Sequence, residues 1–368
     1  MASTPVDANS LIAFGNAAAG HDGILSDTSG DLVIKPCTAA EIAFYEASGS
    51  SHPEFAQFMP NFMGTLQLGK SEQLEKTLGA VAQPDDSGQT AQNNGGLPIV
   101  LPTPDVENTT GSGEIKGKKI DTTLGIVLEN ITAGFVRPNI LDIKLGKRLW
   151  ADDAAPAKRA KLDQVASETT SGSLGFRVAG MKVWQPDDPQ AERAGEKAAK
   201  RATYQDSEAV TSDDGYRVYN KLYGRGRTPD NVKDAFQILL GIKDGQLESI
   251  QGEIITDIKS QIQGMIETLR RQESRMYSSS ILIVYEGDPD ARSLAVSELM
   301  TREREKRQFL KESDQDDDDE EAEEVKKVLD IRLIDFAHAA WTPGRGPDEN
   351  VIEGLVNICR TLEQISQS

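Results

Sequence analysis

Hydrophobic and polar residues alternate strictly from Leu141 to Leu145, and this pattern predicts a β-strand. Leu141, Ile143 and Leu145 would face a core, while Asp142 and Lys144 would share the opposite, open face. Two interpretations of this carboxylate and ammonium stay open. They form an exposed ion pair, which contributes little stability, or they line a cleft in which the carboxylate orients or deprotonates a hydroxyl and the ammonium holds a phosphate.

Other stretches predict further elements around this strand. Apolar residues at spacings of three and four within 247–269 predict one long amphipathic helix whose stripe packs in a core. Residues 278–288 and 328–341 have the composition of strands. Thr38 is a suitable N-cap for a short helix that follows the strand closed by Lys35, just before Pro36.

Length and charge limit the class of protein. At 368 residues and 40.0 kDa the chain suits two lobes better than one small core. Its net charge of −19 argues against a general nucleic-acid or membrane binder, whose footprint would be basic. Because ten acidic residues lie in the single run 311–324, the charge is uneven, and any anion site must be local.

The cysteines and the first residues indicate the compartment. Cys37 and Cys359 lie far apart without a paired spacing, so neither a disulfide framework nor a zinc site is predicted. No basic and apolar leader is evident, and no stretch approaches about 18 apolar residues. We therefore expect a soluble, unsecreted protein in a reducing, intracellular compartment, without stable membrane insertion.

Three polar stretches interrupt the pattern of strands and helices. They are residues 83–119, residues 185–215 and the acidic run 311–324. Their composition and length predict mobile insertions. The remaining chain would divide into an N-terminal lobe within residues 1–128 and a C-terminal lobe within residues 129–368.

Lys35 stands at the end of a predicted strand, where a lysine is most often a surface residue. A predicted helix that carries Glu41 and Glu46 follows at once. Many phosphotransferases use this arrangement to position the lysine that grips the ATP phosphates. The neighbouring helix therefore favours a functional role for Lys35.

Lys158, Arg159 and Lys161 crowd one turn of a predicted helix in an otherwise acidic chain. They form either a solvated helix face, offset by nearby aspartates, or a local site for anions. The residues alone leave both interpretations open.

Five residues at or near strand ends form a candidate site for phosphoryl transfer: Lys35, Asp142, Lys144, Ser280 and Asp335. Phosphoryl transfer from ATP needs a cation for the phosphates, a carboxylate for magnesium and a group beside the attacking hydroxyl. This set has a candidate for each role.

Motifs of ordinary kinases are incomplete. Asp335 and Phe336 match the start of the Asp-Phe-Gly of protein kinases, but Ala337 replaces the glycine. A catalytic loop of the HRD type and a Walker lysine loop are both missing from the sequence. An ordinary protein kinase or P-loop enzyme is therefore disfavoured.

Four ordered blocks carry a family resemblance. Residues 138–146, PNILDIKLG, fit the Pro-x-x-x-Asp-x-Lys-x-Gly signature of the inositol polyphosphate kinase family, and residues 173–184, 278–288 and 333–358 agree with its other blocks. The chain is identified as a member of that family and is most similar to its fungal multikinases. The resemblance implies an α+β, two-lobed, protein-kinase-like fold of the ATP-grasp type, with antiparallel sheets and helices. ATP and magnesium (Mg2+) would bind between the lobes.

The resemblance also implies roles for single residues by their position in the motifs. ATP contacts would come from Lys35, Asp335 and the connector Glu129, Asn130 and Ile131, whose backbone would receive adenine. Asp335 would also bind magnesium, assisted by Ser280.

The catalytic residues implied by the resemblance are Asp142 and Lys144, beside the attacking inositol hydroxyl and the transferred phosphate. Whether Asp142 acts as a base or as an orienting group stays open. Substrate phosphates would be bound within the segment 150–172.

Within that segment, the implied substrate-binding residues are Lys158, Arg159 and Lys161. His338 would either add a contact to the substrate or be a buried structural histidine.

The short substrate segment decides the predicted activity. Only 28 residues separate Gly146 from Gly175, and the resemblance relates this length to an open, basic pocket that admits several phosphate patterns. We therefore predict a multikinase that transfers the ATP γ-phosphate to inositol trisphosphate and tetrakisphosphate, giving inositol pentakisphosphate. Inositol hexakisphosphate kinases, which share the core motifs and make pyrophosphates, are the alternative.

A different class of function also stays open. Fungal multikinases are implicated in nuclear transcription complexes, so the run 311–324 is either a docking surface for transcription-factor complexes or a solvated loop. A mainly non-catalytic scaffold is the corresponding alternative. We expect a monomer in the nucleus and cytoplasm that does not bind nucleic acid directly.

Overall fold

The computed structural model describes residues 11–16, 18, 23–69, 100–102, 122, 124–185, 209–312 and 326–367. Of the three predicted insertions, 83–119 therefore lies outside the described residues except at 100–102. The insertion predicted at 185–215 lies outside them at 186–208, and the acidic run lies outside them from residue 313.

Two six-stranded sheets form the framework. The first contains β1 (Ile12–Ala13), β2 (Leu25–Ser26), β3 (Leu32–Pro36), β4 (Phe62–Gly69), β5 (Val100–Pro102) and β6 (Leu124–Glu129), in the spatial order β1-β2-β3-β6-β4-β5. The second contains β7 (Pro138–Leu145), β8 (Phe176–Trp184), β9 (Val210–Asp213), β10 (Tyr216–Tyr219), β12 (Ser280–Glu286) and β13 (Leu329–Ile334), in the order β13-β12-β7-β8-β10-β9. A small sheet pairs β11 (Ser274–Met276) with β14 (Ala339–Trp341). Only the β4–β5 pair is parallel among the described strands.

Helices surround these sheets. They are α1 (Ala39–Ser51), α2 (Pro53–Ala56), α3 (Pro156–Ser167), α4 (Thr170–Leu174), α5 (Lys221–Arg225), α6 (Lys233–Leu239), α7 (Ser249–Arg270), α8 (Pro289–Glu312) and α9 (Glu349–Ser366). Thr38 caps α1 as predicted, because its hydroxyl accepts a hydrogen bond from the Glu41 N–H at 3.2 Å. None of the described helices has the length and apolar character needed to cross a bilayer.

The alternating segment is the central strand of the second sheet. As predicted, Leu141, Ile143 and Leu145 of β7 are fully buried in the main core. The opposite face, predicted to be open, is not open, since Asp142 is only 4% exposed. An apolar cluster covers part of that face; it consists of Ala18, Ile131, Ile140 and Val284.

The predicted long helix is α7. Its apolar stripe is buried as predicted, and the buried members include Ile254, Ile258, Ile262, Met265 and Leu269. Leu247, the first residue of the pattern, lies just before the helix begins.

The bounds predicted for two insertions, 83–119 and 185–215, are too wide, because both ranges include residues that form strands. Residues 210–213 form β9, which pairs with β10 across a two-residue turn at Asp214 and Gly215. Both turn residues have positive φ values, 44° and 77°, as a type I′ turn requires, and Asp-Gly is a sequence signal for this turn. Residues 100–102, inside the insertion predicted at 83–119, form β5 beside β4.

Helices α1 and α2 are attached to the second sheet. The N–H of Leu333 in β13 donates to the carbonyl of Phe58 at 2.7 Å, just after α2. Phe44 of α1 stacks on Trp341 of β14 with ring centroids 5.2 Å apart, and Phe55 of α2 meets the same indole at 5.3 Å. The main core that contains these residues joins α1 and α2 to the second sheet, and it also includes Ile126 and Leu128 of β6 in the first sheet.

Candidate active site

A cavity between the two six-stranded sheets brings most of the predicted ATP site together. Six of the predicted site residues line it: Lys35, Asp142, Asp335, Glu129, Asn130 and Ile131. Apolar side chains, including Val33, Leu128 and Leu282, form other parts of its wall. An apolar slot that also carries a cation and carboxylates suits a nucleotide, whose base is flat and whose phosphates are charged.

Lys35 is held by two carboxylates from different lobes. Its Nζ lies 2.8 Å from Glu41 Oε1 and 3.1 Å from Asp335 Oδ1. Burial opposes the charge of Lys35, but the carboxylates of Asp335 and Glu41 outweigh burial and raise the pKa of its ammonium group above the ordinary value. Lys35 therefore stays a cation in the cavity.

Asp335 joins the two predicted lysines. It follows β13 directly, and its Oδ2 atom contacts Lys144 Nζ while its Oδ1 atom contacts Lys35. Its backbone is left-handed, with φ of 65°, a conformation that aspartate tolerates better than most residues. The N–H of the next residue, Phe336, donates to Glu41 Oε1 at 3.3 Å. Glu41 thus supports both Lys35 and the turn that carries Asp335.

Ser280 lies next to this group on β12, where it is the register partner of both Lys144 and Ile334. It is fully buried. Its hydroxyl has no hydrogen-bond partner in the described part of the chain. Such a hydroxyl is a candidate ligand for an ion or a phosphate held by Asp335.

The connector between the sheets leaves one backbone donor available. The N–H of Glu129 donates to Asn61 O at 2.9 Å, and the N–H of Asn130 donates to Asp31 O at 2.7 Å. The N–H of Ile131, by contrast, has no partner within the described ranges. The Ile131 N–H is therefore the candidate donor for the adenine edge that the sequence predicts at this connector.

The predicted basic cluster is divided by the structure. Lys158 of α3 lies beside His338, with its Nζ 3.3 Å from His338 Nε2. Arg159 turns the other way, donating from Nε to Ala154 O at 2.6 Å, with its guanidinium 4.7 Å from the Trp150 ring centroid. Lys161 is exposed on the same helix.

His338 is exposed, so the interpretation as a buried structural histidine is wrong. It lies three residues after Asp335, and its contact with Lys158 therefore places α3 near the metal-binding candidate. Partial desolvation, and then the Lys158 ammonium, lower the pKa of His338. The imidazole is therefore neutral near pH 7 and gains affinity for a proton when a phosphate approaches.

Arg177 is a candidate active-site residue that the sequence analysis did not identify. It is the register partner of Lys144 across β7 and β8, and it donates to Ser171 Oγ at 2.8 Å. Burial, followed by the charge of Arg225, lowers the pKa of Arg177 to about 10, while Asp142 acts in the opposite direction. The signal available in the sequence was its place in the SLGFR block, one of the four blocks that carry the family resemblance.

The lysine–glutamate pair, the aspartate at a strand end and the connector between two sheets together define a two-lobed phosphotransferase of the kinase type. The family model described as inositol polyphosphate kinase matches residues 125–363. The chain belongs to the inositol polyphosphate kinase family.

Individual relatives agree with this assignment. The chain is 35% identical to the inositol polyphosphate multikinase of Saccharomyces cerevisiae over 92% of its length and 94% of that protein. It is 31% identical to the inositol polyphosphate multikinase of Schizosaccharomyces pombe over 45% of its length and 49% of that protein. The chain is 27% identical to the mouse inositol hexakisphosphate kinase 3 over 66% of its length and 51% of that protein.

A solved structure supports the fold. The crystal structure of the S. cerevisiae multikinase Ipk2 in complex with ADP and Mn2+ matches 91% of this chain and 99% of that chain, with 29% identity and a TM-score of 0.60. The family and the two-lobed α+β fold predicted from the sequence are confirmed.

Proposed function

We propose that the protein is an ATP-dependent inositol polyphosphate multikinase that phosphorylates ring hydroxyls of inositol trisphosphate and tetrakisphosphate, giving inositol pentakisphosphate. The observation that carries this proposal is the carboxylate of Asp335, which contacts Lys35 from the first sheet and Lys144 from the second. This arrangement gathers phosphate-binding cations around a metal-binding carboxylate. The name and extent of the budding-yeast relative support the choice of substrate class.

The residues around Asp335 suit magnesium. Magnesium takes oxygen ligands and binds through one or two carboxylates together with substrate phosphates and water. Asp335 offers a carboxylate and Ser280 a hydroxyl without a partner among the described residues. No group of three His, Cys, Asp or Glu side chains that could hold a metal occurs in the described ranges, so phosphate oxygens would complete the coordination. When bound, the metal neutralises negative charge on the phosphates.

The protein's own side chains provide the rest of the chemistry. Asp142 lies in the same cavity as Asp335 and accepts a hydrogen bond from the attacking ring hydroxyl, which aligns the oxygen with the γ-phosphorus. The new O–P bond forms as the bond to the β-phosphate oxygen breaks, the hydroxyl proton passes to the Asp142 carboxylate and from there to solvent, and ADP leaves. Lys144 neutralises charge on the transferred group, and Lys35 binds the phosphates that remain with ADP.

Substrate phosphates bind along α3. Lys158 and Lys161 are exposed cations on one side of this helix, and His338 completes the group next to Lys158. Arg159 acts differently, since it holds the turn before the helix and packs on Trp150. Exposure of the lysines agrees with a pocket that admits more than one phosphate pattern.

The direct test is incubation of the protein with magnesium, ATP and inositol 1,4,5-trisphosphate, with products separated by anion-exchange chromatography over time. We expect tetrakisphosphate first and pentakisphosphate second. If trisphosphate is untouched and hexakisphosphate gains a pyrophosphate, the hexakisphosphate kinase alternative is correct. If neither reacts while the magnesium nucleotide still binds, the protein is a scaffold.

Residence in the nucleus and cytoplasm, and docking of transcription-factor complexes through the acidic run, form a separate proposal. Its basis is charge alone, because the run lies outside the described residues from residue 313. A variant that lacks residues 313–324 should keep kinase activity and lose partner pull-down. Unchanged pull-down would reject the docking role.

A further inference from the structure

A second cavity lies on the other face of the central sheet. It has a volume of about 890 Å³ and extends from the ends of β7, β8 and β12 to the segment that connects α6 with α7. Its wall contains Asn139 and Tyr285, which are register partners on β7 and β12. Their neighbours Ile140 and Val284 pack on the nucleotide side, so the two cavities lie on opposite faces of the same strands.

One part of the wall is apolar. It contains Ile238 from α6 and Leu247 from the connecting segment. These side chains are only partly buried, because the cavity keeps them from packing fully against other residues. A ligand with an apolar body would cover them.

Arg292, in the first turns of α8, supplies a cation at the cavity. Its Nη1 atom donates to Glu286 O at 3.2 Å, but the guanidinium has no ion pair within the described ranges. The nearby Glu286 carboxylate is already used, since it accepts hydrogen bonds from the backbone N–H groups of Val136, Arg137 and Asp288. Arg292 therefore keeps several donors for an anion.

Tyr285 is the second polar group at this cavity. Its side chain is fully buried, and its hydroxyl proton has no acceptor in the described part of the protein. The Arg292 guanidinium lies 5.3 Å from the centre of its ring. Burial raises the pKa of the hydroxyl, the charge of Arg292 and a hydrogen bond from its side chain offset part of this rise, and Glu248 at the cavity wall adds to it. A buried hydroxyl in this position is costly unless an acceptor reaches it.

Two long helices also start at this cavity. Helix α7 begins at Ser249, next to wall residues Glu248 and Gln251, and α8 begins at wall residue Pro289. Glu248 and Gln251 are engaged with each other in a capping box, so Glu248 is not free to pair with Arg292. Asp288 caps α8 in the same way, since its carboxylate accepts hydrogen bonds from the Asp290 and Ala291 N–H groups. Because carboxylates already occupy both helix starts, the positive charge for an anion comes from the Arg292 guanidinium and not from the helices.

We propose that this cavity binds a small amphipathic anion, with an apolar body and a single carboxylate, sulfonate or phosphate group. The anionic group binds Arg292 and the Tyr285 hydroxyl, and the apolar body covers Ile238 and Leu247. This site is separate from the proposed kinase reaction and does not depend on it.

The probe for this site is 8-anilinonaphthalene-1-sulfonate, an aromatic sulfonate whose fluorescence rises on binding. The full chain is titrated with the probe in saturating ADP and magnesium, which fill the nucleotide cavity. We expect one site per chain that ADP does not displace. Arg292→Gln should weaken binding about tenfold and Tyr285→Phe about threefold, because a charged and a neutral hydrogen bond are lost.

Arg302→Gln is the matched control, since Arg302 is exposed further along the same helix, and it should bind the probe like the unmodified protein. Leu247→Trp, which fills part of the cavity, provides a further variant should Arg292→Gln fail to fold, and it should also weaken binding. Tyr285→Phe should unfold at a higher temperature than the unmodified protein. Loss of all probe binding in ADP, or equal binding by the Arg292, Leu247 and Arg302 variants, would overturn the proposal.

Discussion

Glu41 forms a buried ion pair with Lys35: its Oε1 atom lies 2.8 Å from Lys35 Nζ, and the Glu41 side chain is 1% exposed. Glu41 also accepts the hydrogen bond of the Phe336 N–H, so Glu41→Gln disturbs both the lysine and the turn of Asp335. We expect kcat/KM for ATP to fall about 100-fold, because small displacements of phosphate-binding groups have effects of this order. Glu46→Gln on the exposed side of α1 is the control and should leave kcat/KM unchanged. Equal kcat/KM for ATP in both variants would show that Glu41 does not position Lys35 for ATP.

Asp335→Asn tests the proposed metal ligand without disturbing the backbone. Asparagine tolerates the left-handed conformation that Asp335 adopts at φ of 65°. We expect turnover in magnesium and ATP to fall at least ~100-fold, with an unchanged circular dichroism spectrum. Substantial magnesium-dependent activity in this variant would exclude Asp335 as the metal ligand.

Lys158→Ala and Arg159→Ala separate substrate binding from local structure. Lys158→Ala should raise the KM for inositol trisphosphate about tenfold and leave the KM for ATP nearly unchanged, because a charged hydrogen bond to a phosphate is lost. Arg159→Ala should instead lower the free energy of unfolding by about 1 kcal/mol, because its bonds to the turn carbonyls and its contact with Trp150 are lost. Steady-state kinetics and urea unfolding measure the two effects. A rise in both KM values for Lys158→Ala would contradict its assignment.

Gly224 and Gly252 form a matched pair for a test of packing. A Cβ atom at Gly224 would lie 1.9 Å from the carbonyl oxygen of Val178, so Gly224→Ala should destabilise the fold by about 2–4 kcal/mol. A Cβ atom at Gly252, inside α7, would meet nothing closer than 3.7 Å. Gly252→Ala should therefore stabilise the fold by about 0.5–1 kcal/mol. Thermal unfolding checks both signs, and a stable Gly224→Ala protein would show that α5 does not pack on β8 in this way.

The buried thiol of Cys37 should make the free energy of unfolding fall at alkaline pH. Burial raises the pKa of this fully buried thiol from 9.0 to about 11, so the unfolded chain loses the proton first as the pH rises. The thiol's contribution to stability is present below pH 9 and is lost between pH 9 and 11. Cys37→Ala should therefore lose less stability than the unmodified protein between pH 8.5 and 10.5, by about 1–2 kcal/mol. Urea unfolding at several pH values measures this difference. If the free energy of unfolding falls equally with pH in both proteins, the raised pKa of Cys37 is refuted.

Local patterns predicted the central strand and the long helix because each depends on neighbouring residues. Alternation identified the core face of β7, and the spacing of apolar residues identified α7. The Thr38 cap was predictable for the same reason. Strand-end residues such as Lys35 and Asp335 could be grouped by their chemistry before their distance was known.

Features that depend on distant parts of the chain were not predictable. The hydrogen bond from Phe336 to Glu41 joins residues 295 positions apart. The covering of Asp142 comes from an apolar cluster that includes Ala18 and Val284, on different elements. The second cavity is built by four separate stretches of the chain, at residues 139, 183–185, 238–251 and 285–292, and the sequence gives no sign that they meet. The hairpin turn at 214–215 was different, since its Asp-Gly signal was present in the sequence.

The position of α1 has a consequence for the rigidity of the site. Phe44 of this helix stacks on Trp341 of the small sheet, while Tyr45 stacks on Phe62 of β4 in the first sheet. Helix α1 is therefore anchored on both sides of the nucleotide cavity. Because Glu41 lies on α1, its ion pair fixes Lys35 to a scaffold that both lobes share, and the Lys35–Glu41 distance would report any loosening of that scaffold.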